Sequence, residues 1–186
     1  TSANVSPGYA IDELPPAGQS LASRRIGALI VIERNIILSR YLEIGIKLDA
    51  RVSKELILSI FQTSTPIHDG AVIIQRGRIA AAGCFLPLTR KENLDPNLGT
   101  RHRAAIGISQ ETDAIVVTVS EEVGIISLVV DGRISRRLDA KNLRQELRDM
   151  LMTEEDFEDE VALSETEMSS TLIPEKLRAL IKGVRK

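Results

Sequence analysis

The run Thr65-Pro66-Ile67-His68-Asp69-Gly70-Ala71-Val72-Ile73-Ile74 limits what this chain can fold into more tightly than any other stretch. Pro66 drives Thr65 away from helical backbone, so a helix arriving from upstream must end there. Gly70 permits a tight turn, and the apolar, β-branched residues after it read as a buried strand. An imidazole and a carboxylate, His68 and Asp69, are thereby held side by side at the edge of a sheet. The rest of the chain reads as the scaffold around that turn.

Upstream, Ser53 is placed to cap a helix over residues 54–61, where Leu56, Ile57, Ile60 and Phe61 recur at helical spacing. The short apolar run 26–32 suits a central strand covered on both faces. Residues 38–48 read as loop with a short extended piece. Downstream, 71–75 and 79–85 flank a hairpin turn at Arg76-Gly77-Arg78. A polar loop, 87–99, follows. Thr100 is expected as the N-cap of a short helix over 101–108 that turns Ala104, Ala105 and Ile108 to the core. Residues 114–120 and 124–130 are two more strands, and Asp131-Gly132 is the strongest hairpin-turn signal in the chain. Asp139 caps a helix from Ala140 to about Met152, with Leu143, Leu147 and Leu151 in register. The expected fold class is α/β, a central mixed sheet flanked by helices, with more hairpins than a doubly wound fold has.

At 186 residues the chain is one domain with at most a small extra segment. Aromatic residues make up only 3%, so the core must be Ile, Leu, Val and Ala, and a base-stacking platform for nucleic acid is disfavoured. A formal charge of −2 gives no polyanion footprint either, so no nucleic-acid partner is expected. Cys84, the one cysteine, reads as a buried thiol. No stretch reaches the ~18 uninterrupted apolar residues of a membrane span, and no signal-peptide pattern occurs. Residues 1–20, with their prolines and glycines, are expected to be a loosely held leader, and 21–152 the ordered domain. Residues 153–186 differ in character: an acidic, self-repelling block runs to Thr171, then Pro174 opens a basic amphipathic helix over 175–186. That helix suits packing on the domain or on a neighbouring molecule, with docking to a membrane surface as the alternative.

Chemistry concentrates in three clusters. Thr100-Arg101-His102-Arg103 puts cations in the first turn of a helix, against the helix dipole. A phosphate would resolve the conflict by accepting from backbone N–H groups, the Thr100 hydroxyl and a guanidinium fork. A solvated basic patch facing an acidic surface is the alternative. His68-Asp69-Gly70 can hold a hard divalent ion or take a proton from an attacking hydroxyl, or can be a structural histidine beside a turn carboxylate. Ser120-Glu121-Glu122 closes a strand, where sites gather in α/β folds, and offers a metal ligand or an ordinary solvated turn. No Walker loop, dinucleotide fingerprint or serine-nucleophile elbow occurs. A two-metal phosphohydrolase would need more ligands than two histidines and a few acids supply.

Taken together, Thr65 to Ile74 and Gly99-Thr100-Arg101-His102-Arg103-Ala104-Ala105-Ile106-Gly107 resemble the two motifs of the diadenylate cyclase domain. Similarity extends through Arg25 to Ile30, Ala82 to Leu88 and Val119 to Glu122, covering roughly residues 21 to 150. Ile36-Ile37 departs from the family pattern, where a glycine-containing turn is expected. The resemblance implies condensation of two ATP into cyclic di-AMP with release of two pyrophosphates. Asp69 and Gly70 would be catalytic with Arg101, His102 and Arg103. Gly70, Ala71, Phe85, Leu86, Thr100, Arg101, Arg103, Ser120 and Glu121 would bind the nucleotide. His68, Asp69 and Glu122 would hold Mn²⁺ or Mg²⁺. Each protomer presents one ATP, so a face-to-face homodimer is implied. The pattern is most similar to the membrane-anchored bacterial cyclic di-AMP synthases. On that resemblance the leader is expected to follow a membrane region, and the full-length protein to work at the cytoplasmic face of the cell membrane, where a regulatory protein partner is a further expectation. This fragment itself is expected to be soluble. The alternative function is an inactive adenine-nucleotide-sensing or scaffold domain.

Overall fold

In the computed structural model, which describes residues 8–152, the chain runs α1 (Gly8–Ser23), β1 (Ala28–Ile32), α2 (Ser39–Leu42), β2 (Ile46–Arg51), α3 (Lys54–Ile60), β3 (Ala71–Gln75), β4 (Arg78–Cys84), α4 (Thr100–Glu111), β5 (Ile115–Val119), β6 (Ile126–Val130), β7 (Arg133–Leu138) and α5 (Ala140–Leu151). The acidic block and the basic helix expected beyond Met152 lie outside the described residues. Every residue of β1 is apolar and buried, which only a strand covered on both faces tolerates. It is the middle strand of a seven-stranded sheet in the order β2-β4-β3-β1-β5-β6-β7. β1 runs parallel to β3, and all the other neighbouring pairs are antiparallel. This is the mixed, hairpin-rich sheet that the sequence implies.

Local chemistry sets the joints. Arg76 and Gly77, at φ 50° and 72°, turn β3 into β4, and Asp131 and Gly132, at 51° and 69°, turn β6 into β7. Successive left-handed residues are what a two-residue hairpin with native twist requires. Ser53 Oγ accepts from the Leu56 N–H at 3.2 Å, and Asp139 Oδ1 from the Asn142 N–H at 2.7 Å, so both expected caps are formed. Over one face of the sheet lies α4, whose Ala104, Ala105 and Ile108 pack with Leu29, Val31, Ile73, Val116 and Val129. The other face carries α1, where a Cβ on Gly18 would lie 3.6 Å from Ile126 and 3.7 Å from Leu143 of α5.

The structure corrects the sequence reading in three places. Residues 8–23 are a helix instead of a loosely held leader, even though Pro15 and Pro16 lie inside it. Ile11, Leu14, Ala17 and Leu21 recur at helical spacing and are buried, and that packing outweighs the amide donors the prolines lack. The helix is also tied at its polar side: Arg144 Nη1 donates to Asp12 Oδ1 at 2.6 Å, and the Lys54 N–H to Glu13 Oε2 at 2.7 Å. Thr100 is the first residue of α4, not its cap. Gly99 occupies the cap position with no side-chain hydrogen bond, and α4 continues past Ile108 to Glu111. Residues 38–48 contain the short helix α2 as well as the start of β2, a strand longer than the brief extended piece expected.

Candidate active site

A cavity of about 660 Å³ opens where β4 and β5 end and β3 begins. Asp69 and Gly70 form one wall, Thr100, Arg101 and His102 of α4 another, and Ser120, Glu121 and Glu122 a third. All three clusters singled out in the sequence thus meet in one place. Phe85 and Leu88, 62% and 51% exposed, form an apolar lip with Leu86, suited to a flat ring.

The Asp69 wall is fixed by backbone. Gly70 has φ 108°, and a Cβ there would sit 2.8 Å from the Cys84 carbonyl oxygen, so the turn lies main chain against main chain on the end of β4. Cys84 lines the same cavity, and burial pushes its thiol up to about 11, so at neutral pH it stays protonated and contributes apolar wall. His68 lies outside the lining. Its Nδ1 is 2.5 Å from the Thr65 carbonyl oxygen. A carbonyl only accepts, so Nδ1 is the donor there and Nε2 is the ring nitrogen left outside that bond.

The α4 wall is fixed by side chains. Arg101 Nη1 donates to Glu121 Oε2 at 2.8 Å. A Cβ on Gly27 would lie 2.5 Å from that Nη1 and 2.9 Å from Glu121 Oε2, so this ion pair rests directly on the backbone entering β1. His102 is 3% exposed, and its Nε2 has no hydrogen-bond partner among the described residues. Burial lowers the His102 pKa below its usual value, the nearby Arg136 charge acts in the same direction, and Glu122 opposes both. Ala71 and Arg103 do not line the cavity; the Arg103 carbonyl accepts from the Thr89 N–H at 3.0 Å, tying the preceding loop to α4.

The third wall is a tight turn in which the Gly124 N–H donates to the Ser120 carbonyl at 2.9 Å. A Cβ on Gly124 would lie 2.5 Å from the Ala22 carbonyl oxygen, and Arg25 Nη1 donates to the Glu122 carbonyl at 3.3 Å. The end of α1 and the residues just after it therefore brace the turn that carries the two carboxylates. Sequence reasoning missed this brace and the part of Gly27; the apolar spacing within residues 10–21 was the available signal for the first. Among the described residues, no three His, Cys, Asp or Glu side chains converge as a metal site, so His68, Asp69 and Glu122 are not gathered into a protein-only cage.

Residues 16–134 match the family described as DAC, DisA bacterial checkpoint controller nucleotide-binding. The chain is 47% identical over 137 residues to the cyclic di-AMP synthase CdaA of Bacillus subtilis (strain 168), across 74% of this chain and 50% of that protein. It is 45% identical over 145 residues to a diadenylate cyclase of Listeria monocytogenes serotype 1/2a (strain 10403S), across 78% of this chain and 53% of that one. The chain thus spans about half the length of these curated relatives. Among solved structures, a double mutant of DacA from Staphylococcus aureus superposes with a TM-score of 0.75 at 43% identity, over 78% of this chain and 97% of that one. The central sheet flanked by helices is the fold they share.

Proposed function

The chain belongs to the diadenylate cyclase (DAC) family, and on that premise we propose that it condenses two ATP molecules into cyclic di-AMP, releasing two pyrophosphates. The observation that carries this reading is the convergence of Asp69 and the cationic start of α4 on one cavity. A triphosphate laid along the α4 wall accepts from the first-turn N–H groups, the Thr100 hydroxyl and Arg101. Arg103 adds positive charge behind them, and His102 holds the turn from within. The adenine lies against Phe85 and Leu86, while Gly70 and Ala71 offer backbone on the opposite side and Ser120 and Glu121 close the third.

The reaction joins the 3′-oxygen of one ATP to the α-phosphorus of the other. Asp69 takes the hydroxyl proton as the P–O bond forms, and the bond to pyrophosphate breaks opposite it. Repeating the step with the roles exchanged closes the ring. No covalent enzyme intermediate is required; positioning and charge neutralisation supply the acceleration. Each cavity serves one ATP, so the working unit is a homodimer with two Asp69 turns facing each other.

The donors fit a hard divalent ion that takes its other ligands from phosphate oxygens. Asp69 and Glu122 flank the cavity, His68 uses Nδ1 within its own loop and leaves Nε2 outside that bond, and Glu121 is already engaged by Arg101. When bound there, Mn²⁺ or Mg²⁺ supplies charge neutralisation at the triphosphate. In the full-length protein we place this domain at the cytoplasmic face of the membrane, behind a preceding anchor and open to a regulatory partner. No helix among the described residues is itself long and apolar enough to cross a bilayer.

Incubation with ATP and Mn²⁺, reading pyrophosphate and cyclic dinucleotide, tests the proposal. Asp69→Asn is expected to lower product formation by about 10²–10⁴-fold while ATP still binds, as removal of a general base does. Product at the wild-type rate from that variant would overturn the role given to Asp69, and ATP binding without product from the wild-type chain would favour a sensing domain.

A further inference from the structure

One row of polar side chains crosses the sheet beneath α4, outside the motifs that mark the cavity. Leu29, in the core under α4, is paired in register with Thr118, Thr118 with Ser127, and Ser127 with Arg136. The last three therefore share the α4 face of β5, β6 and β7. Thr118 Oγ1, Ser127 Oγ, Arg136 Nε and His102 Nε2 are all buried, and none has a hydrogen-bond partner among the described residues. Buried polar atoms without a protein partner call for ordered water, so the row on the sheet and the histidine of α4 make polar ground under the helix.

Arg136 also reaches outward. Its Nη1 donates to Asp95 Oδ2 at 2.9 Å. Asp95 is itself organised, with Oδ1 accepting from the Asn97 N–H and side chain, both at 2.9 Å. The Leu98 N–H donates to the Asp95 carbonyl, so the turn that Arg136 grips leads straight into Gly99 and α4. At the other end of the helix, Ser109 Oγ accepts from the Gly132 N–H at 3.0 Å. From Ser109 back to His102 the helix descends about 10 Å, and from Gly132 to Arg136 the strand advances about 13 Å. The β6–β7 hairpin is thus fastened to α4 itself at Gly132 and, at Arg136, to the turn that leads into it.

We propose that Arg136 is a positioning residue for the phosphate-binding end of α4, acting through Asp95 from outside and through the buried His102–Ser127–Thr118 layer from beneath. Arginine suits the task because its planar fork bonds an exposed carboxylate with one prong while Nε faces inward; lysine cannot do both. The nucleotide arm of the test rests on the function proposed above, whereas the hydrogen-exchange arm does not.

In the nucleotide-free protein, Arg136→Ala is expected to speed amide exchange of Arg103, whose N–H bonds the Gly99 carbonyl, by about tenfold. The Kd for ATP should rise by about tenfold, the usual scale for losing a supporting partner. Arg136→Lys should fall between Arg136→Ala and the wild type in both readouts. Asp95→Asn should move both in the same direction, and the double variant should be no worse than Arg136→Ala alone, since the two act as one unit. The exposed Arg133→Ala, on the same strand, should change neither. Wild-type exchange at Arg103 in Arg136→Ala would overturn the proposal, as would additive losses in the double variant. If Arg136→Ala does not fold, Asp95→Asn decides the matter by the same exchange measurement. A wild-type chain that does not bind ATP would sink the nucleotide reading and leave the exchange result to judge the strap.

Discussion

The two principal walls of the cavity are built in opposite ways. The Asp69 turn is main chain pressed on main chain, with Gly70 seated against the carbonyl of Cys84 and His68 bonded within its own loop. The α4 wall is held by side chains: Arg101 on Glu121, Arg136 on Asp95, and a histidine sealed inside. A backbone joint fixes one carboxylate with little freedom to lose. A side-chain joint leaves the guanidinium able to leave its carboxylate for a phosphate. The difference suits the proposed reaction, in which Asp69 takes a proton and the other wall accepts and releases a polyanion.

Perturbing the two walls should therefore give different kinetic signatures. The largest effect is the loss expected for Asp69→Asn, in turnover with binding retained. Gly27→Ala comes next, and it separates the walls cleanly. Its Cβ would enter the space of the Arg101 guanidinium without touching the Asp69 turn, so the Kd for ATP should rise about tenfold, or about 1.4 kcal/mol. Titration calorimetry checks this; an unchanged Kd would mean that Arg101 does not reach the phosphates.

Glu121→Gln should act more weakly and in the opposite sense. The carboxylate is 57% exposed, so the ion pair adds little stability and Tm should barely move. Releasing Arg101 and removing a negative charge beside the triphosphate should tighten ATP binding by about threefold. Weaker binding instead would make Glu121 a ligand and leave no competition for Arg101.

The smallest effect is a pH dependence confined to the α4 wall. The pKa of His102 is lowered from 6.5 in the folded chain, so below that value the unfolded chain binds the extra proton more readily. The stabilisation is fully present above pH 6.5 and is lost as pH falls through the depressed folded value. Arg136 and Glu122 are the charged groups that act on the ring. Tm should fall between about pH 7.5 and pH 5.5, and His102→Gln should flatten that part of the profile, as thermal melts would show.

Legibility in the sequence followed the range of each interaction. The caps at Ser53 and Asp139 and the turns at Arg76-Gly77 and Asp131-Gly132 depend on residues a few positions apart, and each forms as expected. The motif clusters were also readable, and the cavity brings Asp69, Gly70, Thr100, Arg101, His102, Ser120, Glu121 and Glu122 together. Apart from the cap, which falls on Gly99 instead of its neighbour Thr100, what was illegible depends on distant partners. α1 overcomes Pro15 and Pro16 through contacts with Ile126 and Leu143, which lie far along the chain. Gly27 looks like part of a strand entrance until Arg101 is placed upon it. Arg136 looks like one more charge on an edge strand, because neither Asp95 nor His102 is near it in sequence.

The position of β1 bears on how the protein comes to exist at all. It joins two antiparallel trios, β2-β4-β3 on one side and β5-β6-β7 on the other. Asp69 hangs from the first trio and Glu121 from the second, so the cavity lining is shared between them. Pairing on both edges of one strand is long-range, and such pairing slows folding because chain entropy is lost before the contacts offset it. The two walls therefore meet only when both trios are paired with β1, and a molecule with one trio undocked presents half of the lining.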